Sequence, residues 1–298
     1  MNIRTLNHLL NHPINKKQRI KAVIRYIKWQ LGSRLIPGAV VFNWINNSKA
    51  IISTGETGMT GNVYAGLHEF PDMAFVLHAL HKEDLFVDIG ANIGSYTILA
   101  CSVIGAKGIC FEPVPSTYDK LVMNTKINNL ENKVSVLNKA LGEEEGIISF
   151  SSEYNCMNHV IAEDEIIDDK HKVDVNISTL DNEISDDNIP FMIKIDVEGY
   201  ETPALKGAKR ILNNNNLSVV IMELNGSGNR YGFDENKILQ MMFDYGFKAY
   251  SYEPFTRKLT DLKAKNLEEG NTIFIRNKDD IEKRINKSPK IDIYGIFV

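Results

Sequence analysis

From Leu85 onward, short apolar runs alternate with stretches whose apolar residues recur at helical spacing. Leu85–Ile89, Gly108–Glu112, Val134–Leu137, Met192–Asp196, Ser218–Leu224, Phe247–Tyr252 and Thr272–Arg276 read as strands. Ser95 to Ile104, Ser116–Asn129, Thr202–Asn215 and Asp234–Tyr245 read as helices, the third closed by the run Asn213 to Asn216 and the last opened by Asp234 as N-cap. Such alternation predicts an α/β chain with a mostly parallel seven-stranded sheet and helices on both faces. Residues 143–190 break the rhythm. There Glu143–Glu145, Glu163–Glu165 and Asp186-Asp187 separate the alternating pieces Ile147–Phe150 and Val173–Ile177, which predict an inserted β-hairpin beside the site.

The segment before the first strand has a different character. Ile20, Val23, Ile24, Ile27 and Leu31 fall on one helical face, while Lys17, Lys21, Arg25 and Lys28 gather on another. Nine Lys or Arg precede the first acidic residue, Glu56, so with a net charge of −4 the remainder carries −13 (−4 − 9). Two roles suit this basic amphipathic helix: packing on the main domain with its cations in solvent, or contact of residues 16–34 with an anionic membrane surface. An arginine-bearing, acid-poor start also resembles an organellar transit peptide. The expected organisation is an arm over 1–60, a main domain over 61–280 and a tail over 281–298.

A length of 298 residues suits one large α/β domain with an appendage, because single cores seldom grow beyond about 250–300 residues. No apolar run approaches the roughly 20 residues that span a bilayer, which excludes an integral membrane protein. The three cysteines Cys101, Cys110 and Cys156 form no C-x-x-C pair, so no structural disulfide is expected. Without a signal core before a small-residue cleavage site, cytoplasm is the default location.

The chemistry concentrates where the first strand turns into its helix, at Asp88-Ile-Gly-Ala-Asn-Ile-Gly-Ser-Tyr-Thr97. Gly90 and Gly94 bracket a tight turn of the kind that holds nucleotide-like cofactors. It departs from the dinucleotide fingerprint G-x-G-x-x-G, since Asn92 stands where the second glycine would let a pyrophosphate reach the backbone. A cofactor without phosphates, an adenosine bearing an amino-acid tail, would instead meet a polar wall of Asp88, Asn92 and exposed amides. S-adenosylmethionine fits that description. Glu112 ends the second strand 22 positions after Gly90, near the ~20 residues expected for a ribose-hydroxyl acceptor.

Together with Phe111-Glu-Pro113 and Lys194-Ile-Asp-Val-Glu-Gly-Tyr-Glu201, this turn resembles the FkbM-like family of S-adenosylmethionine-dependent methyltransferases. The resemblance runs from about Gly61 to Arg276, taking in Gly61-Asn-Val-Tyr64 and Asn138-Lys-Ala-Leu-Gly142. It implies a Rossmann-like class I methyltransferase fold and, usually, O-methylation of sugars or sugar-bearing products. Matched letter by letter, it implies that Asp88, Gly90, Asn92 and Gly94 hold the methionine part and Glu112 the ribose, with Ala91, Ser95 and Pro113 also in the cofactor set. Ala140 and Leu141 would surround the adenine, with Tyr64, Glu69 and Asp196 completing the cofactor set.

Open α/β sheets bind ligands beyond the carboxyl ends of their strands, which points to Asp196, Glu198 and Glu223 as candidate catalytic residues. Asp196 ends the run Phe191-Met-Ile-Lys-Ile195, broken only by Lys194, and so emerges at the sheet edge as base or positioner. Glu198 precedes Gly199 and suits either acceptor binding or capping of the following helix. Glu223 and Asp196 are also oxygen donors for a divalent cation, though too few to fix one, so a metal is not predicted. His159, in the insert, is a candidate base near neutral pH or a hydrogen-bonded structural residue. Beyond the arm the chain is acidic and lacks a basic stripe interleaved with aromatics, so a nucleic-acid partner is not expected. The Asn/Asp-Pro-Pro-aromatic signature of amino-methylating enzymes is absent after the fourth strand, where Asp196-Val-Glu-Gly199 stands. The expectation is a methyltransferase for a hydroxyl of a saccharide, nucleotide-sugar or glycolipid-like acceptor; the competitors are a non-catalytic cofactor-binding partner and a nicotinamide oxidoreductase.

Overall fold

The computed structural model describes residues 7, 9–36, 38–152, 158–162, 165–268 and 270–298. Cys156 and Glu163 lie outside the described residues. The strands are β1 (Val40–Asn43), β2 (Lys49–Ile52), β3 (Leu85–Ile89), β4 (Lys107–Phe111), β5 (Val134–Leu137), β6 (Ala140–Leu141), β7 (Gly146–Ser151), β8 (Lys172–Ser178), β9 (Met192–Ile195), β10 (Val219–Glu223), β11 (Lys248–Glu253), β12 (Lys258–Leu262) and β13 (Asn271–Ile275), and every apolar run expected as a strand is among them. An eight-stranded sheet runs β12-β11-β13-β10-β9-β3-β4-β5. Strands β5, β4, β3, β9 and β10 are parallel, and β13 runs against β10. This is a Rossmann-like sheet, wound outward in both directions from β3.

The eighth strand, β12, is an addition to the seven expected. Its sequence Lys258-Leu-Thr-Asp-Leu262 is mostly polar and reads as loop, yet it pairs antiparallel with β11 at the sheet edge. Edge strands bury one face or less and so need little hydrophobicity.

Side chains alternate across the sheet and feed two cores. Phe86, Met192, Val219 and Ile221 enter the first, and Val87, Ile193, Val220 and Met222 the second. Over the first face lie α1 (Arg19–Leu35), α2 (Thr57–Ala65), α3 (Phe70–Ala79) and α4, which starts at Ser95 and widens to π-type turns over Ile98–Ile104. Further along follow α5 (Pro115–Ile127), α6 (Glu201–Lys206), α7 (Lys209–Asn213), α8 (Glu235–Asp244) and α9 (Lys278–Lys287). Asp234 caps α8, its side chain accepting from the Asn236 amide. The single helix expected over Thr202–Asn215 is split between α6 and α7, because Gly207 lies against the Gly142 carbonyl.

The insert is the expected hairpin: β7 pairs antiparallel with β8, and β6 runs parallel to β8. Phe150, Val160 and Val175 form a small third core with Val114 and Ala140, which brings the hairpin over the carboxyl end of β4.

The arm helix forms and packs on the body of the protein, but not through its aliphatic stripe, while Lys17, Lys21 and Lys28 stay in solvent. Ala22, Tyr26 and Ser33 are its buried residues, Trp29 packs on the core, and Val23 is half-buried. Arg25 also turns inward, donating from Nη2 to Asn15 Oδ1 at 2.6 Å and lying 4.2 Å from the Tyr294 ring centroid. The stripe Ile20, Ile24, Ile27 and Leu31 is the exposed one. The Tyr26–Trp29 side takes the core, where the Tyr26 ring lies 5.1 Å from that of Tyr64.

Candidate functional site

The site lies where the winding reverses, at the carboxyl ends of β3 and β9. The turn after β3 is pinned from both sides: the Gly90 and Ala91 amides both donate to the Phe111 carbonyl at 3.0 Å, and Asp196 N donates to Ile89 O at 3.0 Å. A Cβ on Gly90 would sit 1.8 Å from the Asp196 carbonyl oxygen, and its φ is +77°. Only glycine permits that approach. Gly94 has a packing role, since a Cβ there would meet Leu121 of α5 at 2.7 Å. Asn92 tolerates φ of 51°, turns its Oδ1 to the Ile93 amide at 2.7 Å, and still lines the cavities described next.

Two cavities share Gly90, Asn92, Asp196 and Glu198. The first is walled by Phe111, Pro113, Ala140, Leu141 and Phe150, with Glu112 among its lining. Glu112 accepts from the Asn92 amide at 3.0 Å through Oε2 and from the Val114 amide at 3.0 Å through Oε1. Burial outweighs both bonds and pushes it up to about 7. A carboxylate has about four lone-pair sites, so two stay open to a ligand.

The second cavity is rich in carboxyl groups: Glu69, Asp88, Asp196, Glu198 and Glu223 line it with Lys194, beside Ala91, Ser95 and His68. Asp88 accepts from Thr97 Oγ1 at 2.6 Å, and burial raises it to about 6. Glu69 is fixed by Tyr96 Oη at 2.7 Å and by Asn271 Nδ2 at 3.3 Å. Lys194 is 1% exposed and donates to Asp196 Oδ2 at 3.1 Å. Burial opposes its charge, but Asp196, Glu69 and Glu223 overcome that and hold its pKa above the ordinary value.

Oxygens of Asp196, Glu198 and Glu223 all lie within 4.8 Å of one another. Burial and the Asp196 carboxylate hold Glu223 well above the usual carboxylate range, and its Oε2 is buried without a hydrogen bond. Glu198 rises to about 7, first through burial and then through Asp196 and Glu201. Its backbone sits at φ 53°, an uncommon conformation for glutamate that the adjoining Gly199, at φ 102°, helps the loop to adopt. Of the two roles open to Glu198, capping is not taken up; the neighbouring Glu201 Oε1 instead accepts from the loop amides of Gly199 at 3.2 Å and Val197 at 3.3 Å. Glu198 is thereby left to the cavities. The arrangement suits a cation held among carboxylates and a proton taken near neutral pH.

Two expected site residues lie elsewhere. Tyr64 faces α1, its hydroxyl accepting from Gln30 Nε2 at 2.6 Å and its ring 5.1 Å from that of Tyr26, because an aromatic at the end of α2 serves the arm contact. His159 is absent from both linings; its Nε2 pairs with Glu165 Oε1 at 2.9 Å, and its neighbour Asn158 reaches the first cavity instead. Conversely, Lys194, Tyr200 and Met59 line the cavities without having been singled out. For Lys194 the signal was visible: a lone charge inside a buried strand demands a partner.

No helix among the described residues is long and apolar enough to cross a membrane. The profile of the methyltransferase FkbM domain matches residues 88–249. Hexuronic acid methyltransferase AglP of Haloferax volcanii is 30% identical over 153 residues, which make up 49% of this chain and 58% of that relative. Among solved structures, Pyrococcus horikoshii TYW2 in complex with MeSAdo matches with a TM-score of 0.42 at 17% identity, over 81% of this chain and 73% of that one. A precorrin-6y C5,15-methyltransferase from Geobacter metallireducens matches with a TM-score of 0.39 at 12% identity, over 70% of this chain and 87% of that one.

Proposed function

The chain belongs to the FkbM methyltransferase family, and from that premise we propose that it uses S-adenosylmethionine to methylate a hydroxyl of a saccharide, nucleotide-sugar or glycolipid-like acceptor. The observation that carries this reading is the junction of an apolar pocket with a ring of carboxylates at Gly90, Asn92, Asp196 and Glu198. An adenine suits the walls of Phe111, Ala140 and Leu141, and Glu112 keeps open acceptor sites for ribose hydroxyls. The acidic second cavity favours a sulfonium and an ammonium over the phosphates of a dinucleotide.

When bound, S-adenosylmethionine would supply an electrophilic methyl group for transfer to an acceptor oxygen. The chain's part is placement and proton removal. Glu198, balanced near 7, takes the hydroxyl proton as the bond forms. Asp196, anchored by Lys194, accepts a hydrogen bond from a neighbouring acceptor hydroxyl, and protonated Glu223 donates one. A neutral polyol meets this set of donors and acceptors better than a free carboxylate would. The relative AglP is named for a hexuronic acid, a sugar that does carry a carboxyl group, so neutral and uronic saccharides are the acceptors to compare.

Calorimetry with S-adenosylmethionine and NAD tests the cofactor, and tighter binding of NAD would end this reading. Labelled methyl donor incubated with neutral and uronic saccharides, followed by product identification, tests the acceptor. The three clustered carboxylates are also spaced for a cation, but Lys194 already supplies a countercharge, so turnover is expected to survive EDTA. Loss of activity restored by Mg2+ would instead make Asp196, Glu198 and Glu223 its ligands.

A further inference from the structure

Helix α1 turns a continuous aliphatic stripe to solvent. Ile20, Ile24, Ile27, Leu31 and Leu35 are exposed at 79%, 46%, 46%, 59% and 80%, and their spacing of three and four residues keeps them on one face. Scattered exposed aliphatics are ordinary, but a row of five marks an interaction surface. Exposed Arg19 and Lys21, Lys28 and Arg34 flank the row on its two sides. No acidic residue occurs before Glu56 to balance them. Just past the helix, Ile36 is 52% exposed, and Val41 on β1 is 53% exposed.

We propose that this face docks on an anionic lipid bilayer, with α1 lying in the interface plane. Its aliphatic row would enter the headgroup–acyl boundary, and the flanking cations would meet lipid phosphates. The opposite face of the helix is fixed to the body of the protein. Tyr26 is buried, Arg25 reaches Asn15 at 2.6 Å, and Gln30 donates to Tyr64 Oη at 2.6 Å. The stripe is therefore presented without rearrangement, and docking costs no internal contact. A second copy is a poorer occupant, because an isologous contact would bring the flanking cations of one helix against those of the other. A nucleic acid would find apolar side chains where it needs cations.

The test uses the full chain with vesicles of phosphatidylcholine alone and of phosphatidylcholine mixed with phosphatidylglycerol, floated at low and at physiological salt. Binding is expected only to the anionic vesicles and should weaken with salt, since the attraction is screened over about 8 Å at physiological ionic strength. Lys21→Gln with Lys28→Gln should lower the vesicle affinity about 30-fold. Ile24→Gln, Ile27→Gln and Leu31→Gln together should lower it by about 100-fold or more. Both variants should keep the wild-type melting temperature and cofactor affinity, because α1 lines neither cavity. Failure of the wild-type protein to float at low salt overturns the proposal, as does undiminished floating of both variants. Should the triple variant unfold, undiminished binding by the lysine variant alone overturns it. A wild-type dimer that the triple variant dissociates would assign the face to a second copy and overturn it equally.

Discussion

Glu198 shows how a residue's role depends on what its neighbours have already taken. The sequence left it between capping and acceptor binding; Glu201 takes the amides of Gly199 and Val197, and Glu198 keeps the cavities. Glu198→Gln should therefore leave cofactor affinity nearly unchanged and reduce turnover on the order of 100-fold. A base works only when ionised, so the wild-type rate should rise with pH through about 7 and level off above it. In the variant that limb should vanish; a pH–rate profile that kept it would move the base to another group. Glu112 carries two duties at once, because its oxygens hold the Asn92 and Val114 amides in place. Glu112→Ala should cost about 1–3 kcal/mol of stability for each stranded amide as well as weakening cofactor binding. Urea unfolding alongside calorimetry separates the two losses, and unchanged stability would mean that water replaces the carboxylate.

Among the elements, those with strong periodicity were legible in the letters, and those set by a close approach were not. Strands β3, β5 and β9 begin where their apolar runs begin, because strands inside a parallel sheet covered by helices carry mostly apolar side chains. The break between α6 and α7 left no such mark. It comes from the Gly142 carbonyl, which a Cβ on Gly207 would approach to 1.9 Å. Gly207→Ala would improve local helix propensity yet should destabilise the protein by about 1–3 kcal/mol, since two backbones cannot both yield. A urea midpoint raised by that substitution would refute the contact. The arm helix teaches the same lesson for orientation. It carries two stripes of helical period, and tertiary burial chose Tyr26 and Trp29 over Ile20 and Leu31.

For the whole molecule, gathering carboxyl groups at one end of the sheet has a cost that pH reveals. Burial raises Asp88 to about 6 and Glu112 and Glu201 to about 7. A raised folded pKa gives stability that is complete below the ordinary carboxylate range and is lost as pH climbs through the raised value. His78, which burial and then Arg257 lower to about 4, acts in the opposite sense below its ordinary value of 6.5. The ligand-free protein should thus lose melting temperature between about pH 6 and about pH 8, and a bound sulfonium should restore more of it at the higher pH, where the carboxylates are ionised. Thermal melts with and without S-adenosylmethionine check this, and a melting temperature that rises over that interval would contradict it. The sequence by itself determined seven of the eight strands of the main sheet and the glycine turn after β3, because burial period and glycine spacing are local demands written in consecutive letters. Only tertiary structure decided which carboxylate binds the loop amides and which faces the cavities, that Lys194 joins the site, that Tyr64 and His159 stand apart from it, and which side of α1 meets solvent. Those outcomes rest on contacts between residues far apart in the chain, where several partners compete for one amide, one charge or one patch of core.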